Sequence, residues 1–283
     1  METQNQPVVP KKGRWSEKWT QIRSRWTAFK TQHPKKALTL KLSGVLMGLG
    51  GFSIFLLFFL TRIGAFGALP SRQALSDIHN HNASEVYSVD GKLLGKYFIE
   101  NRTNIPYESI SPDIINALVA TEDARFFEHK GVDTRAWLRV LVKTILLSNQ
   151  SSGGGSTLSQ QLAKNLFPRK SYLVLSVPIN KIREMYIARR LEQVYSKDEL
   201  LNLYLNTVPF GGNIYGVEVA CRQFFGRSAD EISTEEAAVL IGMLKANTYY
   251  HPVRHPERAQ KRRNDVLQQK VKYQYLDSDV GDS

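Results

Sequence analysis

With 283 residues, 42% of them hydrophobic, the chain can bury the core of one good-sized domain with additions, which excludes a disordered polyelectrolyte. Its net charge of +12 is unevenly placed: residues 1–41 hold ten Lys and Arg against Glu2 and Glu17, so the basic character belongs to a tail and not to the body of the chain. The single cysteine, Cys221, excludes an internal disulfide and a cysteine metal cluster.

A basic tail suits nucleic acid or an anionic membrane equally well, and the next segment decides between them. Residues 42–60, "LSGVLMGLGGFSIFLLFFL", are 19 residues without a charge. As a helix they are about 28 Å long, close to the ~30 Å hydrocarbon core of a bilayer. The expectation is a transmembrane helix over 42–62. The positive-inside rule then puts the tail, 1–41, in the cytoplasm and the rest of the chain outside. The tail's charge becomes a topology signal and a lipid-headgroup contact, and nucleic acid drops out as a partner.

Residues 63–110 read as a linker followed by a β-hairpin. Apolar residues flank Asp90-Gly91, a two-residue hairpin signal. From Ser111-Pro112, a good helix start, the pattern turns helical, with Ile114, Ile115, Leu118 and Val119 following. Further helices are predicted over 133–148, 157–166, 179–195, 197–206, 214–225, 234–245 and 256–275. A Gly/Ser-rich loop falls at 148–156. The expected fold class is therefore mainly α, with one small β piece. The helical domain spans 111–275 and a short tail spans 276–283.

Three polar constellations stand out. "TEDARFFEHKG", residues 121–131, sets Glu122, Asp123 and His129 beside Phe126 and Phe127. "GGSTLSQQLAKN", residues 154–165, is a Gly-rich turn and a Ser156/Thr157 helix cap, followed by Gln160, Gln161, Lys164 and Asn165. Gln160 and Lys164 share a helix face. "KIREMYIARRLE", residues 181–192, places Lys181 and Glu184 on the face of Ala188 and Leu191. Taken singly, each fits an exposed helix face with ion pairs.

Together and in order they resemble the peptidoglycan glycosyltransferase family, the lysozyme-like domain of class A penicillin-binding proteins and of monofunctional transglycosylases. The family's E-D-x-x-F-x-x-H-x-G is matched by Glu122, Asp123, Phe126, His129 and Gly131. G-x-S-T-x-x-Q-Q-x-x-K-N is matched over 154–165. The third motif is matched at Lys181, Glu184, Ala188, Leu191 and Glu192, with Asn180 where an arginine is usual. A fourth follows as Lys197, Tyr204-Leu205-Asn206, Phe210-Gly211 and Gly216, and a fifth as Arg262, Val266 and Leu267. The resemblance runs over about residues 83–275 and implies a lysozyme-like fold.

The resemblance implies inverting transfer: the 4-hydroxyl of an acceptor sugar attacks C1 of a lipid II donor, and undecaprenyl pyrophosphate leaves. Lipid II, the growing glycan strand, membrane lipids and other cell-wall synthesis proteins are the implied partners, at the outer face of the cytoplasmic membrane. Glu122 and Glu184 are the implied catalytic carboxylates. Glu122 takes the hydroxyl proton, and an apolar wall beside it disfavours a carboxylate's charged form. Lys164, Lys181 and Arg183 meet the pyrophosphate, with Arg169 or Lys170 from the loop between, and Ser156, Thr157, Gln160, Gln161, Asn165 and Asn206 are further substrate contacts. Asp123, Phe126, His129 and Gly131 shape the site. No cofactor is required, though Glu184 could hold a divalent Mg or Mn ion at the pyrophosphate. Residues 171–178, "SYLVLSVP", are expected to touch the membrane. A glycan hydrolase and a non-enzymatic scaffold are the rival readings. S-x-x-K with a downstream K-T-G is absent, so no transpeptidase is expected in this chain.

Overall fold

The computed structural model describes residues 14–78, 84–87, 93–97, 101–147 and 155–277. It divides into two compact units, Met1–Leu60 and Thr61–Ser283.

The first unit holds helix α1 (Arg14–Gln32) and most of α2 (Pro34–Arg62). Proline at the start of α2 loses nothing, since the first helical N–H has no intrahelical partner. Helix α2 begins ahead of the apolar run and takes up Lys35, Lys36 and Lys41. Among the described residues it alone is long and apolar enough to cross a membrane, with a mean hydropathy of 2.1. Within the tail, residues 14–32 are helical as α1.

The second unit is mainly helical: α3 (Arg72–Ser76), α4 (Pro112–Glu122), α5 (Thr134–Leu147), α6 (Leu158–Leu166), α7 (Ser176–Val194), α8 (Lys197–Thr207), α9 (Val217–Phe225), α10 (Thr234–Met243) and α11 (Pro256–Lys272). Strands β1 (Ser84–Tyr87) and β2 (Leu93–Tyr97) form the expected antiparallel hairpin. Its Asp90-Gly91 turn lies outside the described residues, as does most of the Gly/Ser-rich loop. A second small sheet was not foreseen. In it β3 (Asn101–Arg102) runs parallel to β5 (Ile214–Tyr215), which pairs antiparallel with β4 (Pro209–Gly211). The helix expected from 214 therefore starts at Val217. Gly216 has φ +79, and a Cβ there would lie 3.0 Å from the Asn206 carbonyl oxygen, so the chain turns at that point.

Local sequence sets the helix starts. Ser111 accepts the Asp113 N–H at the head of α4, with Pro112 in the first turn. Thr157, Ser196 and Ser233 each form a capping box, with Gln160, Glu199 and Glu236. Such caps contribute about 1 kcal/mol each. The helices then close on α4, whose Ile114, Ala117 and Leu118 are completely buried. Leu240 and Ile241 of α10 and Val266 of α11 join the same core as Leu162 of α6, Leu191 of α7 and Leu205 of α8. Each large side chain removed from water contributes about 1.5–3 kcal/mol.

One buried charge ties α11 to α4: the Lys270 ammonium, wholly inaccessible, bonds the Asp113 carboxylate. Burial alone would push that carboxyl up, but hydrogen bonds from Lys270 and Thr234 and the Lys270 charge bring it below the usual carboxylate value. The pair's stabilisation is present above the unfolded carboxylate pKa and is lost as pH falls through the depressed one.

The loop between α4 and α5 is pressed against α7 at Gly131. Its φ is +86, and a Cβ would stand 2.8 Å from the carbonyl carbon and oxygen of Ala188. Gly131→Ala must therefore push the loop off α7. Left-handed strain alone costs about 1–3 kcal/mol, so a thermal melt of the purified chain should show a clear drop in Tm. Gly212→Ala, at φ +56 with open space around it, should lose less.

Candidate active site

Glu122 is the last residue of α4 and opens into a cleft of about 350 Å³. Polar groups dominate its walls: Arg125, Asp133, Arg139, Ser156, Thr157 and Lys272. The apolar wall expected from Phe126 and Phe127 is not there. Phe126 is completely buried, with the Lys197 ammonium 4.2 Å from its ring centre, and Phe127 is exposed. The pair packs edge to face, and Phe126 underpins His129 instead of Glu122.

Two groups hold the Glu122 carboxylate. Gln161 donates Nε2–H to Glu122 Oε2 at 2.9 Å, and the Tyr204 hydroxyl donates to Gln161 Oε1 at 3.0 Å. Tyr204 is 1% exposed. Burial first, and the Glu122 charge second, push its phenol well above the usual tyrosine value, so it stays a donor. On the other side Arg262 places Nη2 3.9 Å from Glu122 Oε1. Tyr204 and Arg262 had appeared in motif matches without a role. The distances reveal one, which no spacing rule could, since they lie on α8 and α11.

Asp123 is a structural partner. Its carboxylate accepts the Leu158 N–H at 3.0 Å and contacts His129 Nε2 at 3.0 and 3.1 Å. This fixes the start of α6 beside the end of α4. Thr157 donates its hydroxyl to Gly131 O at 2.7 Å while accepting the Gln160 N–H. Gln160 is completely buried and accepts the Thr157 N–H, so both cap α6, and of the two only Thr157 also lines the cleft.

Beyond Ser156 lies a cationic group. Lys181 donates to Ser156 Oγ at 2.6 Å and to Glu184 Oε2 at 3.3 Å. Arg169 donates Nε–H to Glu184 Oε1 at 2.8 Å. The loop carrying Arg169 is clamped by Asn180, the residue standing where an arginine is usual. Asn180 accepts the Lys170 N–H at 3.1 Å and donates to the carbonyls of Lys170 and Ser176, both at 2.7 Å. Burial lowers the Lys181 pKa; the Glu184 charge and hydrogen bond oppose this, and the Arg169 and Lys164 charges add to it. Lys164 thus belongs to the same group, and its exposed side chain faces solvent. Asn165, in the last turn of α6, is half-buried.

Two expected substrate contacts point elsewhere. Arg183 spends its guanidinium on the carbonyls of Phe66, Gly67 and Ala68, so it pins the segment after α2. Asn206 donates to Ile105 O and Asn202 Oδ1 and accepts the Ile105 N–H, so it holds the chain ahead of α4. Both Glu184 oxygens serve cations, Arg169 at one and Lys181 at the other. Among the described residues no group of three His, Cys, Asp or Glu could hold a metal ion.

A helical unit with this cleft matches the family model described as Transglycosylase over residues 90–271, and the chain belongs to that family. Its curated relatives are more particular. It is 37% identical to penicillin-binding protein 1A of Escherichia coli strain K12, over 74% of this chain and 24% of that protein. With penicillin-binding protein 1A of Aquifex aeolicus the identity is 36%, over 85% of this chain and 32% of the relative. The chain thus spans about a quarter to a third of the length of these relatives.

The Lys181 environment carries a measurable sign. Glu184 supports the charged lysine, so Glu184→Gln should lower the Lys181 pKa further below the ordinary lysine value. Titration of 13C-labelled lysine by NMR reads this directly. An unchanged or raised Lys181 pKa would mean that the pair is not formed in solution.

Proposed function

We propose that the Thr61–Ser283 unit polymerises lipid II into β-1,4-linked glycan, as a peptidoglycan glycosyltransferase. The observation that carries this reading is the opposition across Ser156: an oriented carboxylate on one side and a lysine–arginine group on the other. A glycan hydrolase needs an acid at its leaving group. A pyrophosphate leaving group needs cations.

In this mechanism the acceptor 4-hydroxyl oxygen attacks C1 of the donor on the face opposite its pyrophosphate. The O–H proton passes to Glu122. The C1–O bond to phosphate breaks, and its electron pair leaves on the pyrophosphate. Gln161, itself held by Tyr204, fixes one Glu122 oxygen and Arg262 stands near the other, so orientation is set before substrate arrives. Lys181, Arg169 and Lys164 receive the negative charge of the leaving group. Glu184 keeps these cations together until the pyrophosphate enters. Asn165 and Gln161 are the remaining polar contacts that the substrate could meet at α6.

The chain is read as a single-pass protein of the cytoplasmic membrane, its N-terminus cytoplasmic and its catalytic unit on the outer face. The basic flank of α2 supports that orientation. Leu173 and Val174 are each 94% exposed and Val177 is 70% exposed, an apolar patch suited to bilayer contact beside a lipid-linked substrate. Lipid II, the glycan strand, membrane lipids and other cell-wall synthesis proteins are the proposed partners, and nucleic acid is not.

Glu122→Gln should keep the fold and lipid II binding while polymerisation falls at least ~100-fold, the scale of a lost general base. Glycan-chain formation from labelled lipid II by the purified chain in detergent is the assay. A variant that keeps a large share of wild-type turnover would remove Glu122 from the mechanism.

A further inference from the structure

Helix α7 carries a second polar stripe that the proposed reaction does not use. Tyr186, Arg189, Arg190 and Gln193 recur at helical spacing, away from Lys181 and Glu184. With Arg62 and Arg72 they line a separate cavity of about 650 Å³, completed by Leu69 and Ser71. All of these residues belong to the Thr61–Ser283 unit.

Four arginines line this cavity and no aspartate or glutamate does. Like charges gathered round one space repel, and an anion between them reverses the sign. Two of the four are fixed by neutral partners. Arg190 donates to Pro70 O at 2.5 Å, and Arg72 donates to Gln193 Oε1 at 2.8 Å. The Arg62 and Arg189 side chains are exposed and make no hydrogen bond or ion pair among the described residues. A cavity of this size falls in the ~300–1,000 Å³ range of small-ligand sites.

Position supplies the class of anion. Arg62 is the last residue of α2, so a bilayer crossed by that helix puts Arg62 at headgroup depth. The positive-inside rule leaves the outer flank of a span poor in cations, which makes an arginine set there something other than a topology signal. The guanidinium fork matches the two free oxygens of a phosphodiester. Leu69 offers an apolar edge to the glycerol end.

We propose that this cavity binds the phosphodiester headgroup of an anionic phospholipid, held by Arg62 and Arg189 within the frame set by Arg72 and Arg190. The proposal rests on the membrane orientation given above. Its consequence is that the back of α7, the helix carrying Lys181 and Glu184, is moored to the bilayer surface.

The test uses the full chain in detergent micelles and native mass spectrometry of retained lipid. The wild type should keep short-chain phosphatidylglycerol in preference to phosphatidylcholine, and Arg62→Gln with Arg189→Gln should weaken retention about tenfold, the scale of a lost charge-assisted hydrogen bond. Arg189→Lys, which keeps the charge but loses the fork, should fall between them, and it serves if the double variant folds poorly. Equal retention by wild type and variants would overturn the proposal. Inorganic phosphate competing as well as phosphatidylglycerol would overturn the lipid assignment in favour of a free-phosphate site. Carbonate extraction of the full chain from vesicles tests the anchor separately, because lipid retention in micelles is read whether or not the helix spans.

Discussion

The geometry of the cleft depends on one carboxylate, that of Asp123. It ends α4, receives the first N–H of α6 through Leu158, and binds His129 from the turn between. Its negative charge sits where the α6 N-terminus presents unpaired N–H groups, a favourable position for an anion. Hydrogen bonds to a buried charged group contribute about 1.5–3 kcal/mol each, and an unpaired Asp123 would cost at least as much. Because Glu122 precedes Asp123 and Gln161 lies one turn into α6, this joint sets the separation of Glu122 from the side chain that orients it. A second ring backs the first. Lys197 donates to His129 O and to Glu192, while Ser159 donates to the same Glu192, so α6, α7 and α8 are tied beneath the loop.

The cationic side obeys a different constraint. Lys181 is largely withdrawn from water, and Arg169 and Lys164 add like charge to it. Such a group is tolerable only around an anion, and Glu184 is that anion in the free protein. Its own burial, at 5% exposure, is made acceptable by two cationic partners. On the proposed function, an incoming pyrophosphate carries more negative charge than one carboxylate and takes over the same donors. The site is therefore assembled in advance, and binding exchanges one partner for another instead of gathering distant side chains.

Much of this was legible in the sequence where the cause is local. Ser111-Pro112 and the Ser156/Thr157 pair marked the starts of α4 and α6, apolar spacing marked the core face of α4, and the order of motifs singled out Glu122, Lys181 and Glu184 as candidates. What could not be read was long-range. Arg183 and Asn206 look like substrate contacts because they stand in polar motifs, but carbonyls from residues 66–68 and 105 claim them, and no periodicity announces which backbone will pass. Phe126 next to Glu122 suggested a dry cleft, yet a 3-10 turn over Phe126–Glu128 rotates its ring into the core. The β3–β5 pairing joins residues more than a hundred positions apart, and its strands are too short to leave an alternating pattern. Asn180 appeared only as a departure from a family pattern. Its role as the clamp of the Arg169 loop needed the fold.

Arg183 and Arg190, two helical turns apart on α7, grip the backbone at residues 66–68 and at 70. That segment follows directly from Arg62, the end of the apolar helix. Tyr172, at the foot of α7, adds a hydroxyl hydrogen bond to Phe66 O and an edge contact to its ring. The helix bearing the cationic group is thus referenced to the chain just beyond α2 by three side chains, and to the rest of the domain through Ala188 against Gly131 and Ile187 and Leu191 in the core. A substrate whose reacting pyrophosphate is joined to a bilayer-bound chain presents that group at a narrow range of heights above the membrane. An enzyme acting on it gains from a cation site whose own height is fixed, since each ångström of misplacement weakens both charge contact and in-line attack. Spending Arg183 and Arg190 on neutral carbonyls, which does nothing for the chemistry directly, is explained on this reading by the positional accuracy it gives α7.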